Sequence, residues 1–327
     1  MRVFLFSCFF FFHVCLSAQS LPLQPLSGPG GKNYTHDEIR ITDRAEEKDG
    51  FWLFEPASPT PDSAHVVVFL HGYGAINPMI YGGWIKHLVR KGNIIIYPRY
   101  QKGIFPPKTH HFANQAVKGI HQALDSLQNR DHVRPIISHL SITGHSYGGA
   151  LAANLTAKFE EYKLPKPVAV LLCSPGTGPF KGAILDSYEN IPSETKLLVM
   201  VSEKDKTVGD KLGKKIFSTA SNTIDKHLIT QLEDRRFPKI NIRAGHNESY
   251  SLDTTLNLTR KTIVSKRAAK VSRIDAVDYY GYWKLLDALH SCTRDDFDCN
   301  LAIGNTFEQS FMGYWSDGMP VKSLNIK

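Results

Sequence analysis

The chain has 327 residues, 42 % of them apolar and 21 % charged, a balance that excludes a disordered or fibrous polymer and suffices for a buried core. Its formal charge is +8, with lysines and arginines scattered except for a run holding Arg260, Lys261, Lys266, Arg267, Lys270 and Arg273. No nucleic-acid-binding motif accompanies that excess, so the run reads as a solvated loop and helix face and not as a nucleic-acid interface.

In chain order, Met1-Arg2, a phenylalanine-rich apolar run over 3–16 and the small pair Ser17-Ala18 have the form of a secretory signal peptide cleaved near Ala18. The run is shorter than the ~20 residues a membrane span needs, and no later stretch is longer. The expectation is therefore a secreted or periplasmic protein without stable membrane insertion. Residues 19–40, rich in Pro, Gly and Ser, read as a flexible leader before a domain over 41–327. A short strand is predicted at 52–54 and a buried one at 65–70 (HVVVFL). A helix follows at 81–91, with Trp84, Ile85, Leu88 and Val89 on one face. Next come a strand at 93–97 (NIIIY) and a helix at 111–128, with Ala113, Ala116, Ile120, Ala123 and Leu127 at helical spacing. A strand at 140–143 leads into a helix at 147–161. Strands at 167–173 (PVAVLLC) and 196–201 (KLLVMV), a helix at 211–221, a last strand at 239–242 and a closing helix at 274–290 complete the pattern. Strands alternating with helices, and apolar on both faces, predict an α/β fold: a mostly parallel central sheet with helices on both faces.

Chemistry in such folds sits in the loops at the carboxyl ends of the strands. After the 140–143 strand comes Gly144-His145-Ser146-Tyr147-Gly148-Gly149, a G-x-S-x-G element between a strand and a helix. A serine at the tip of that sharp turn is exposed as a nucleophile. The glycines leave room for backbone to pass, and the helix N-terminus supplies amides where negative charge develops. After the 65–70 strand comes His71-Gly72-Tyr73-Gly74, whose Tyr73 N–H is expected to form an oxyanion hole with the Tyr147 N–H. His71 reads as a turn-stabilising residue. The remaining triad members should follow in the order acid, then histidine. Asp205, in the polar turn after the 196–201 strand, is the chosen acid, ahead of Glu203 and Asp210. His246, after Gly245, is the chosen base, ahead of His227.

These two glycine-rich elements resemble the α/β-hydrolase superfamily, over nearly all of residues 50–290. Within it the chain looks most similar to secreted bacterial esterases of the dienelactone-hydrolase and cutinase-like kind. There an aromatic residue after the first-loop glycine supplies an oxyanion amide, as Tyr73 would. Dienelactone hydrolases proper carry cysteine where this chain has Ser146. The Ser-Tyr-Gly-Gly element is also similar to prolyl-oligopeptidase-type peptidases, whose propeller domain this chain has no room for. Together with the residues, the resemblance implies an α/β-hydrolase fold with a C-terminal extension, and a serine hydrolase cleaving small-molecule or polymeric carboxylic esters without metal or cofactor. A serine peptidase or amidase, and a non-catalytic binding protein on the same scaffold, are the alternatives. Tyr73, Tyr147 and Trp84 are the candidates for the substrate pocket. Cys292 and Cys299 are expected to pair as a disulfide in an oxidising compartment, with Cys173 a buried thiol. The aromatic, glycine-rich tail over 305–321 is expected to pack on the body in preference to lining the cleft. Four N-x-S/T sequons, at Asn33, Asn154, Asn247 and Asn257, read as incidental.

Overall fold

The computed structural model describes residues 20–47, 49–236 and 240–327; the expected signal peptide lies outside them. The apolar runs become buried strands because alternate side chains serve two cores. In the 65–70 run, Val67 and Phe69 enter one core while Val66, Val68 and Leu70 enter the other.

The strands of the main sheet are β1 (Glu38–Asp43), β2 (Phe51–Ala57), β3 (Ser63–Leu70), β4 (Asn93–Pro98), β5 (Arg134–His145), β6 (Pro167–Cys173), β7 (Lys196–Ser202) and β8 (Lys226–Gln231). A separate antiparallel pair consists of β9 (Asp234–Arg236) and β10 (Ile240–Ile242), and β11 (Asn325–Ile326) returns to the main sheet. The main sheet has nine strands in the order β1-β2-β4-β3-β5-β6-β7-β8-β11. The strands from β4 through β8 in that order are mutually parallel; β1, β2 and β11 close the two edges antiparallel. The expected mostly parallel α/β sheet is therefore the observed one. Helices α1 (Gly82–Arg90), α2 (Phe112–Ser126), α3 (Tyr147–Ala157), α4 (Lys211–Thr219), α5 (Ile263–Val271), α6 (Trp283–Asp295), α7 (Cys299–Ile303) and α8 (Phe307–Ser310) follow in chain order. α1 and α6 feed the first core, α2, α3 and α4 the second. Among the described residues no helix is long and apolar enough to cross a membrane.

Several elements differ from expectation. The strand expected at 239–242 does not join the main sheet: its described part is β10, paired with β9. The last parallel position belongs to β8, KHLITQ, whose charged start and Thr hid it from an apolar pattern. The closing helix enters through a π-turn at Val277–Tyr282 and runs on to Asp295. The described part of the segment expected to be a flexible leader is irregular over 20–37, enters β1 at Glu38, and is fastened. The Gly30 N–H donates to Asp287 Oδ2 at 2.9 Å, and Tyr34 lies under the Arg90 guanidinium, 4.0 Å from its ring centre. Prolines and glycines there set a path along the surface that side chains of α1 and α6 hold.

The tail packs, and no residue of it lines the cleft. Trp315 is buried, with its indole N–H donating to Asp234 at 3.0 Å. Lys284 on α6 donates to the carbonyls of Glu308, Gln309 and Phe311 at 2.9, 2.9 and 2.6 Å. Cys292 and Cys299 are joined as a disulfide, which ties the end of α6 to the start of α7, and Cys173 is a buried free thiol.

Candidate active site

β3 lies between β4 and β5, so the order of strand addition reverses beside it, and a crevice opens at the carboxyl ends there. Leu70 is in register with Gly144, which puts the loop after β3 against the turn after β5. Ser146 stands at that turn with φ 57° and ψ −121°, a left-handed conformation that a non-glycine residue holds only when its surroundings force it. They do so here through backbone on both sides. The Ser146 N–H donates to the Cys173 carbonyl at 2.9 Å, and the Ser146 carbonyl accepts from the Ala150 and Gly176 amides. The glycine at 148 is what lets α3 start so close to β3, since a β-carbon there would overlap the Leu70 and His71 carbonyls.

The structure brings three of the sequence-predicted residues into one hydrogen-bonded chain. His246 Nε2 is 2.9 Å from Ser146 Oγ, and His246 Nδ1 is 2.7 Å from Asp205 Oδ2. Asp205 Oδ1 accepts from the Thr207 and Val208 amides at 2.8 and 3.1 Å. Burial opposes ionisation of Asp205. The hydrogen bond and charge of His246 and those two amides outweigh it, so the carboxyl sits below its ordinary range. An ionised Asp205 must accept, so His246 carries its proton on Nδ1 and Nε2 is free to accept from Ser146.

The rivals lie elsewhere. Glu203 pairs with Lys204, and Asp210 pairs with Lys214 at the start of α4. His227 is in β8 beside Gln309. His71 is buried, stacked on Tyr100, with Nδ1 on the Gly72 carbonyl; burial pushes its pKa down to about 4, so it is neutral.

In the loop after β3, the Gly72 amide donates to the Tyr81 hydroxyl and the Gly74 amide to Gln101. The Tyr73 N–H between them makes no hydrogen bond among the described residues. The Tyr147 N–H is the first of α3 and has no partner in its own helix. The cleft in front of Ser146 has a volume of about 230 Å³. Tyr73 stacks on Phe180 at one wall, with ring centres 4.1 Å apart, and Tyr147, Val208, Tyr250 and Val264 contribute elsewhere. The Tyr147 phenol is tied down to the Thr109 and Lys181 carbonyls. Trp84, expected in the pocket, is not there. It lies on the face of α1 turned to the sheet, buried against Phe69 and Tyr282, because its helical phase is that of Ile85 and Leu88.

One participant was not foreseen. His145 is fully buried, with Nε2 2.8 Å from the His246 carbonyl and Nδ1 3.0 Å from the Tyr81 hydroxyl. A carbonyl only accepts, so Nε2 carries the proton and Tyr81 donates to Nδ1 while accepting from the Gly72 amide. Burial first, and the nearby His246 charge second, push His145 down to about 3 and keep it neutral. A file of hydrogen bonds thus links the Tyr73 loop to the His246 loop. The only trace of it in the sequence was a histidine in the variable place of G-x-S-x-G.

Residues 42–186 match the family model described as chlorophyllase. That span, less than half of the chain, contains Tyr73 and Ser146 but neither Asp205 nor His246. No curated protein matches in sequence. Among solved structures, one from a structural analysis of two esterases of the fungus Rhizomucor miehei is similar. It is 14 % identical, covers 72 % of this chain and 83 % of its own, and has a TM-score of 0.49.

Proposed function

We propose that this chain is an α/β-hydrolase that cleaves carboxylic esters through an acyl-enzyme on Ser146, a reading supported by the family match over 42–186. The observation that carries this reading is the continuous file Ser146 Oγ, His246, Asp205, with links of 2.9 and 2.7 Å.

Ser146 attacks the ester carbonyl as His246 Nε2 takes its proton. Asp205 holds the imidazole in the needed tautomer and stabilises the imidazolium. The tetrahedral oxyanion is met by the Tyr73 and Tyr147 amides, each worth a few kcal/mol of transition-state stabilisation. His246 then returns its proton to the leaving alcohol. Water, deprotonated by the same nitrogen, releases the acid and restores the serine. His145 is a positioning residue: it holds the His246 backbone while remaining uncharged, so no second cation forms beside the imidazolium. Export fits the Cys292–Cys299 disulfide, a bond that persists in oxidising compartments.

The test is hydrolysis of 4-nitrophenyl esters of graded acyl length, beside the matching anilides, by the parent and by Ser146→Ala. Ester turnover in the parent that falls by about three orders of magnitude or more in the variant is the expected result. Labelling by a fluorophosphonate probe should disappear with it. Faster cleavage of the anilides would move the protein to the amidases, and activity that survives the substitution would remove Ser146 as the nucleophile.

A further inference from the structure

The cationic run that the sequence showed between Arg260 and Arg273 turns out to border the cleft. Its middle forms α5, and two side chains of that helix, Val264 and Arg267, line the space in front of Ser146. The helix is fastened at both ends to loops of the site. At its start, the Thr262 hydroxyl donates to the Gly74 carbonyl at 3.1 Å, next to Tyr73. At its end, the Ser272 hydroxyl donates to the Tyr250 carbonyl at 2.8 Å, within the His246 loop. α5 therefore bridges the two loops that flank the serine.

The charge of this bridge is only partly balanced, since Arg273 at its end acts on the Glu248 and Asp275 carboxyls without pairing with either. No Asp or Glu occurs between Asp253 and Asp275, and none of the six cations is in an ion pair among the described residues. Among the described residues no carboxylate lines the cleft, and Arg267 is the one arginine or lysine beside an otherwise aromatic, aliphatic and neutral polar wall. The nearby acids are engaged: Asp205 with His246, and Glu248 with Arg243 at 3.2 Å. No hydrogen bond from the Arg267 guanidinium is found among the described residues. Its five donors form a fork that matches a carboxylate or phosphate.

We propose that Arg267 is a specificity residue that receives an anionic group of the substrate, so that this site prefers esters carrying a negative charge over neutral esters of the same length. The proposal rests on the ester-hydrolase reading of the same site. Arg267 on the helix that spans the cleft supplies the recognition. The neighbouring cations raise the local concentration of anions, an effect that weakens as salt is added.

Two matched pairs of esters test it and show which side of the ester bond bears the charge. The first is 4-nitrophenyl hydrogen adipate against 4-nitrophenyl hexanoate. The second is 4-(hexanoyloxy)benzoate against phenyl hexanoate. In at least one pair the parent should favour the charged ester in kcat/KM. Arg267→Gln should cut that preference about three- to tenfold, mainly through KM, as expected for a charge-assisted hydrogen bond at a partly solvated site. Arg267→Glu should reverse it. Lys266→Gln, one position away and outside the cleft, should leave the preference within twofold. An identical charged-to-neutral ratio in the parent and Arg267→Gln for both pairs overturns the proposal, as does a preference that follows Lys266. Failure of the underlying reading looks different: no ester is turned over by the parent, or turnover persists in Ser146→Ala, and the proposal then falls with it.

Discussion

Two buried polar clusters fasten segments to the body of this molecule, and they are built on opposite principles. At the site, neutral groups stand in single file: the Gly72 amide, the Tyr81 hydroxyl, the His145 ring and the His246 carbonyl. Between α6 and the tail the hub is the single ammonium of Lys284, on which three carbonyls of the tail converge; burial pushes its pKa down to about 7, and three acceptors call for all three of its protons. A hub concentrates binding free energy and holds a segment in place. A file transmits position, since each member has one neighbour on either side and cannot shift without moving the next. It also adds no cation beside His246, which in the proposed mechanism becomes one itself. The site is thus built for geometry and electrostatic neutrality, the tail for attachment.

The comparison is broken most strongly at Asp205, which belongs to neither cluster but depends on the file to keep His246 within reach. Asp205→Asn preserves shape while removing the charge and favouring the wrong imidazole tautomer. The expected result is a fall in kcat of about 10³- to 10⁴-fold, by analogy with serine-protease triads, with a melting temperature close to that of the parent. Ester kinetics and thermal melts on the same preparations check it. A loss of less than tenfold would mean that His246 does not act through Asp205.

Lys284→Met asks the opposite question. It keeps the aliphatic stem but leaves three carbonyls without their donor; relief of the desolvation that pushes the Lys284 pKa down to about 7 offsets part of that loss, so the expected net cost is about 1–3 kcal/mol in unfolding free energy near pH 6. Because the tail lies outside the cleft, kcat/KM should stay within twofold of the parent. Chemical denaturation read beside ester kinetics checks both halves. A parallel loss of activity would show that the two clusters are mechanically coupled.

The same contrast explains what the sequence could reveal. Ser146 was legible because its glycines and its place between a strand and a helix are local. Asp205 and His246 were legible because the order of loops along a parallel sheet limits where each can arrive. The file was not legible. Tyr81 reads as one more core aromatic, and the partner of His145 is a backbone oxygen about a hundred residues away, which leaves no mark on side-chain pattern. Trp84 misled because aromatic content suggests a pocket, while its phase on α1 points it to the sheet. β8 and the bounds of α5 were missed for a related reason. β8 has two apolar residues against four polar or charged ones, since it is only half covered, and α5 buries only Ser265 and Ala268, since it is a thin bridge over the cleft. The core strands, apolar on both faces, carry no such ambiguity.

Tyr81→Phe sharpens the distinction at smaller amplitude. It removes the hydroxyl that serves both the Gly72 amide and His145, leaving a buried donor and a buried acceptor unpaired. Stability should fall by about 1–3 kcal/mol. A purely structural role ends there. A positioning role adds a fall in kcat of about tenfold with KM nearly unchanged, measured well below the melting temperature, because the Tyr73 amide and the His246 ring lose their common reference.

The last experiment tests neutrality itself, through a change of slope and not through a loss at neutral pH. The folded-state pKa of His145 is about 3, whereas an unfolded histidine titrates near 6.5. Between those values the unfolded chain binds a proton at this position and the folded chain does not, so the native state loses ground as pH falls through the window. The contribution is fully present above about pH 6.5. It declines by about 1.4 kcal/mol for each pH unit below that, until the folded pKa is reached. His71, held near 4 by burial, acts with the same sign over a narrower window. His145→Gln retains a donor for the His246 carbonyl but cannot titrate. Its unfolding free energy, followed by denaturant from pH 7 to pH 4, should therefore fall less steeply than that of the parent, by about one proton's worth of slope. Parallel slopes would mean that His145 accepts a proton within the fold. The single file beside His246 would then tolerate a charge that the observed geometry, with one ring nitrogen donating and the other accepting, leaves no place for.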